Sequence, residues 1–170
     1  MPNLILANFI SLIAAVFTAM SSWSKEKRRI YIYQVYQCLL LALGSVFFAS
    51  YAGIVTLLVC AWRNYLASQD MLTKNRIFFC LTVIVVFGLA VNNRGLIGVL
   101  VVATNVVYSL GVYLAKSERA IKCNMILNLT LWIVYEIFII DIPSAIADAV
   151  GLTTAVASLF RPDKRKESPL

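Results

Sequence analysis

The sequence predicts an all-α membrane protein of seven transmembrane helices, arranged as three, one and three. Hydrophobic residues make up 61% of the 170 residues and charged residues 14%, against about 45–50% and about 25% in ordinary soluble domains. Mean hydropathy is +0.85. A soluble chain of this size cannot hide that much apolar surface, because a small domain leaves a large share of its surface in water. The apolar residues also fall into successive runs, most of them near the roughly 17–25 residues a helix needs to cross a bilayer. The period-2 alternation of a spanning β-barrel is absent, so helices are the spanning elements.

The first span is Leu4–Trp23. No lysine or arginine precedes it, so it lacks the basic start of a cleavable signal and reads as a retained helix. After the loop Ser24–Arg29 come Ile30–Ser50 and Ala52–Ser68, joined by almost nothing. The loop Gln69–Arg76 leads to a short fourth span, Ile77–Val91, and then to Gly95–Ala115. The loop Lys116–Lys122 precedes the sixth span, Cys123–Ile140. Pro143 opens the seventh, Pro143–Phe160, at a first-turn position where its missing N–H costs nothing. A basic tail, 161–170, follows.

Charge sets the orientation. Lys25, Lys27, Arg28 and Arg29 lie in the first loop, Lys74 and Arg76 in the third, and Lys116, Arg119 and Lys122 in the fifth. Arg161, Lys164, Arg165 and Lys166 lie in the tail, so all four groups share one side of the membrane. Of the 15 lysines and arginines only Arg94 falls on the other side, and Arg63 lies within a span. The positive-inside rule then places the amino terminus outside and the carboxyl terminus in the cytoplasm. The net charge of +7 belongs to these loops rather than to a nucleic-acid surface.

Several functions are excluded by composition. Histidine is absent, which removes the commonest metal ligand and the usual general base. Cys38, Cys60, Cys80 and Cys123 stand singly in apolar segments with no Cys-x-x-Cys pair, and read as packing residues. No phosphate-binding loop occurs, and the last span lacks the lysine a retinal protein needs. The reading is therefore of a non-enzyme with no catalytic residue, no cofactor and no metal.

An internal repeat organises the chain. A shift of 91 residues lays Lys25 on Lys116, Arg28 on Arg119, Leu40 on Leu131 and Phe47 on Phe138. Each half has a span, a basic loop, a span, a tight turn and a third span, in the same orientation, as in a parallel repeat. The divisions are 1–76 for the first three-helix bundle, 77–94 for a linker helix, 95–160 for the second bundle and 161–170 for the tail.

Two stretches carry a family resemblance. Leu43–Ala67 has a short aromatic turn and an arginine late in the third span. Lys122–Ala149 has Trp132, Tyr135, Glu136 and Asp148 in a Trp-x-x-aromatic-polar pattern followed by an acidic residue in the last span. With the three-one-three layout these resemble the SWEET and PQ-loop transporter class, whose plan the nicotinamide riboside transporters share. The closer resemblance is to the YgjV-type bacterial inner-membrane proteins. The Pro-Gln pair of the PQ-loop proteins is absent, and Glu136 stands where that class carries an amide or small polar residue. The resemblance implies a multi-pass protein of the bacterial cytoplasmic membrane with SWEET-like alternating access.

Intramembrane ionisable residues cost at least about 2.5–3.5 kcal/mol each at a helix centre. Arg63 shares a helical face with Thr56, which points it inward, although its length also permits snorkelling. Glu136 and Asp148 sit at similar depth on adjacent antiparallel helices, a pair suited to a proton or cation. Asn105 lies near the middle of the fifth span, and Asn128, Trp132 and Tyr135 lie along the sixth. Ser11 with Thr18, and Gln37 with Gly44, stripe the first and second spans. Any one buried amide can simply bond a neighbouring helix. Together, Arg63, Asn105, Asn128, Trp132, Tyr135, Glu136 and Asp148 are the expected substrate-binding residues of a transporter or facilitator of a small polar solute. The alternative is a non-transporting regulator or accessory subunit. The expected partners are a small-molecule solute and the lipid bilayer, with no nucleic acid, and homo-oligomerisation is left open. A reporter active only in the cytoplasm should be active when fused after Arg161 and silent when fused near Arg94; the reverse pattern overturns the orientation.

Overall fold

The computed structural model describes residues 2–47, 49–139 and 142–160, with side chains described at 5–47, 49–138 and 144–160. The predicted basic tail lies outside the described residues. Seven helices are present among them: α1 (Pro2–Trp23), α2 (Lys27–Phe47), α3 (Tyr51–Ser68), α4 (Lys74–Ala90), α5 (Gly95–Leu114), α6 (Glu118–Ile139) and α7 (Ile142–Leu159). Each coincides with one apolar run of the sequence. By length and composition, α1, α2, α5 and α6 are apolar enough to cross a membrane. Residues Ser144–Leu159 of α7 form a shorter apolar helix.

Several helices begin earlier than their apolar runs, because polar residues at an interface can extend a helix into water. α6 starts five residues before Cys123, where the Ser117 hydroxyl accepts from the Ala120 N–H at 3.2 Å. Glu118 lies in its first turn, where a carboxylate meets the positive end of the helix dipole. α4 starts at Lys74 behind Thr73, whose side chain accepts from the Arg76 N–H.

Two helices end in matching turns. The Ser50 N–H reaches the Ser45 carbonyl at 3.0 Å and the Ala49 N–H reaches Val46 at 3.1 Å. At the end of α3, Met71 N–H reaches Leu66 at 2.8 Å and Asp70 N–H reaches Ala67 at 3.3 Å. These are Schellman closures, with Ala49 (φ 50) and Asp70 (φ 54) taking the left-handed position usually held by glycine. Asp70 also accepts from Lys27 Nζ at 2.5 Å, fastening the α3–α4 turn to the start of α2.

The helices alternate in direction and pack as a ring. α1 packs on α2, α2 on α3, α3 on α5, α5 on α6, α6 on α7, and α7 returns to α1. α4 stands outside this ring, against α3 and α5. Its closeness depends on Gly88, where a Cβ would meet Val102 Cγ2 at 2.9 Å and Thr56 Cγ2 at 3.1 Å.

The polarity is inverted relative to a soluble bundle. Phe9, Phe78, Phe87, Phe138 and Val150 are exposed on the outer surface. Buried residues include Gln34, Thr56, Arg63, Asn64, Asn105, Ser109 and Lys122. Water would select against such a surface, whereas lipid requires it. One end of the ring carries the basic residues of the first, third and fifth loops. There the ring interior is filled by Ile30, Tyr31, Ala67, Tyr108, Val112, Ala115, Ile121 and Met125. Beside this plug, Lys122 Nζ donates to the carbonyls of Ser21, at 3.1 Å, and Ser22. An ammonium at the α1 carboxyl end satisfies carbonyls that lack a helical partner and meets the negative end of the dipole.

Ring closure depends on Gly151, where a Cβ would meet Thr18 Cγ2 at 2.7 Å. Gly151→Leu should destabilise the detergent-solubilised protein by about 1–3 kcal/mol, the usual cost of overpacking, read as a lower unfolding temperature. Val150→Leu, on the exposed neighbour, should leave that temperature unchanged.

Candidate functional site

The ring encloses one large cavity of about 400 Å³, within the range of small-molecule sites. Every ring helix contributes to its wall and α4 contributes no lining residue. Asn8, Ser11 and Thr18 come from α1, and Gln34, Gln37 and Gly44 from α2. Asn105 and Tyr108 come from α5, Asn128, Trp132, Tyr135 and Glu136 from α6, and Ser144 and Asp148 from α7. Tyr108 and Met125 belong both to the wall and to the apolar plug, so the plug is the cavity floor at the basic end. At the other end the wall includes exposed Arg94 and Ser50 of the α2–α3 turn, which mark the mouth.

All seven residues singled out in the sequence line this cavity. They do not form one cluster. Asp148 lies about 9 Å along α7 from Ile142, at about 1.5 Å per residue, while Arg63 lies about 18 Å along α3 from Tyr51. The carboxylates therefore belong to the upper part of the cavity and the arginine to its floor. Glu136 is buried and Asp148 half-buried. Trp132 and Tyr135 meet edge to face, with ring centroids 5.4 Å apart, near the level of the carboxylates.

The floor is built around α3. Arg63 is 0% exposed, so the inward reading of its helical face holds and its guanidinium does not snorkel to the interface. Nε and Nη2 donate to Asn64 Oδ1 at 3.2 and 2.9 Å, and Nη1 donates to Ser109 Oγ. Ser109 donates on to the Asn105 carbonyl at 2.6 Å. The guanidinium lies over the Tyr108 ring, 4.9 Å from its centroid, a cation–π contact that favours the charge. Asn105 accepts from the Cys60 thiol at 3.1 Å and donates to the Val101 carbonyl at 3.0 Å. Asn105 thus joins α3 to α5 as well as facing the cavity.

Some lining residues were missed in the sequence. Gln34, Asn64 and Tyr108 lie on the floor with Arg63. A signal for Asn64 existed, since Cys60 and Asn64 repeat at four residues on the helix face that also carries Gly53 and Leu57. Cys38 and Cys60 are buried, as packing residues are, yet also line the cavity. Cys123 is exposed. Among the described residues no group of histidine, cysteine, aspartate or glutamate side chains could hold a metal ion.

An apolar exterior around a one-ended cavity that gathers the buried polar side chains defines a helical membrane protein. The chain belongs to the Imp-YgjV family, described as bacterial inner membrane protein, whose model matches residues 5–166. No curated protein and no solved structure matches it.

The position of the mouth is testable by labelling. With the four native cysteines replaced by serine, Asn8→Cys should react with a membrane-impermeant maleimide added from the Arg94 side. Ser21→Cys, which is buried beside the plug, should resist the reagent from either side.

Proposed function

We propose that the protein is a transporter or facilitator of a small polar solute, of SWEET-like build. It works by alternating access between two three-helix units, α1–α3 and α5–α7, linked by α4 across seven spans. The observation that carries this reading is the cavity of about 400 Å³, with polar side chains from every ring helix set among apolar ones, a mouth at one end and an apolar plug at the other. A site that must be reached from each side in turn needs such a closed end. With the amino terminus outside, the present state is outward-facing.

The packing supports the two-unit division. α2 sits between α1 and α3, and α6 between α5 and α7, and the two rows meet at α1·α7 and α3·α5. Those two seams are where one unit would rock against the other. Because α4 lines no part of the cavity, it can act as a tether without obstructing the path. The absence of histidine and of a Ser-His pair supports a role without a catalytic step. The SWEET-like build rests on topology and loop charge, and the bacterial inner membrane is the compartment the family gives.

In this reading Trp132 and Tyr135 supply the apolar face for the solute. Glu136 and Asp148 set the proton affinity of the upper cavity. The test is counterflow by the full chain in reconstituted vesicles, screened over sugars, nucleosides, vitamins and amino acids. Asp148→Asn should abolish the pH dependence of uptake while leaving folding intact. Trp132→Ala should raise the half-saturation concentration about two- to twelvefold, matching a lost aromatic contact of about 0.5–1.5 kcal/mol. Unchanged uptake by Asp148→Ala removes that residue from the path. Lost stability with unchanged transport makes its role structural.

A further inference from the structure

The cavity floor carries a positive charge that no carboxylate in the described chain pairs with. Lys27 pairs with Asp70 and Arg29 with Glu26, in the loops and helix starts of the basic end, away from the cavity. The groups that touch the Arg63 guanidinium are neutral: Asn64, Ser109, the Cys60 thiol and the Tyr108 ring. Glu136 and Asp148 stand toward the mouth, farther along their helices than Arg63's level by about 9 Å or more. A guanidinium has five N–H donors. Three go to oxygen acceptors, which leaves one on each terminal nitrogen with only the weakly accepting Cys60 thiol beside them among the described residues.

We infer that Arg63 binds the carboxylate of a small organic monoanion that enters this cavity. The inference rests on the cavity being a solute site and names the chemical class of that solute. One open N–H on each terminal nitrogen is the fork that takes a carboxylate through two parallel bonds. A single cation at the floor balances a single negative charge. A neutral solute would leave the buried charge unbalanced in a low-dielectric site, where such a charge is most costly. Asn64 and Ser109, held by Arg63 on one side, fix its plane, and Tyr108 fixes its face.

The rest of the solute is also specified. Gln34 Oε1 and Asn128 Oδ1 are buried acceptors with no hydrogen-bond partner, and both residues line the cavity. They call for donors on the solute, an ammonium or hydroxyl. A hydroxy- or amino-carboxylate satisfies the fork and these acceptors at once.

The test uses the purified full chain in lipid nanodiscs and thermal unfolding with lactate, alanine and phenylalanine, each beside its primary amide. Sodium chloride and inorganic phosphate serve as further probes. At least one carboxylate should raise the unfolding temperature while its amide does not, because only binding to the folded state stabilises. Arg63→Lys keeps the charge but loses the fork, and should weaken that carboxylate's affinity about tenfold or more. Arg63→Gln should abolish the shift, whatever the loss of its bonds to Asn64 and Ser109 does to the ligand-free unfolding temperature. A merely structural arginine would leave the carboxylate-induced shift in place. If Arg63→Gln does not fold, the wild-type comparison of acid with amide decides. Equal shifts from acid and amide, from chloride or from phosphate overturn the inference, as does no shift from any carboxylate. Carboxylate-specific binding with no vesicle uptake would leave the inference standing and remove the transport reading. Counterflow of neutral solutes alone would do the reverse.

Discussion

Holding a guanidinium inside a ring of apolar helices is the constraint that orders this molecule. The effective penalty for taking one ion out of water is several kcal/mol even after relaxation, comparable with the whole stability of a small domain. Arg63 meets it with bonds to Asn64 and Ser109 and a ring face from Tyr108. Each bond recruits a further residue. Ser109 leans on the Asn105 carbonyl, and Asn105 holds the Cys60 thiol of α3. Asn64 reaches Cys38 of α2 at 3.7 Å. One charge thereby fixes α2, α3 and α5 at a common level, and the apolar plug packs directly beneath.

This arrangement explains how helices associate where hydrophobic burial gives little drive, since lipid tails are as apolar as leucine. Close approach is obtained at Gly88, between α4 and the α3–α5 seam, and at Gly151, between α7 and α1. Polar side chains tie elements distant in sequence, as where Lys122 of α6 holds the carbonyl end of α1. The exterior needs no such detail, and there phenylalanine, leucine and valine recur without a fixed partner.

Most of the fold was legible because hydropathy and charge report directly on a bilayer. All seven apolar runs correspond to helices, and the largest displacement of a boundary, at α6, follows from Ser117 and Glu118 rather than from any apolar residue. The membership of the cavity wall was legible for the same reason: a polar residue amid apolar ones has few places to go. What periodicity could not give was arrangement. The sequence placed Glu136 and Asp148 near the outer surface and Arg63 five residues from the cytoplasmic end of its span, but gave no sign of the neighbours that hold the guanidinium. Gln34 and Tyr108 escaped notice because each follows or precedes residues of similar polarity and marks no break in pattern. The closing of the ring by α1 against α7 is a long-range contact without local trace, and so is the position of α4 outside it.

That closure has a consequence for biogenesis. The wall opposite α3 is completed only by α7, which leaves the ribosome after the other six described helices. Until then the nascent chain has α1 and α6 with open flanks, and the stripe bearing Asn128 and Glu136 faces acyl chains or the insertion machinery. A premature stop within α7 would therefore leave most of the apolar exterior in place while holding ionisable groups against lipid. Such a product has the hydropathy of an inserted protein but the exposed intramembrane polarity of an incomplete one, so the ring must close before the chain can be lipid-compatible on every face.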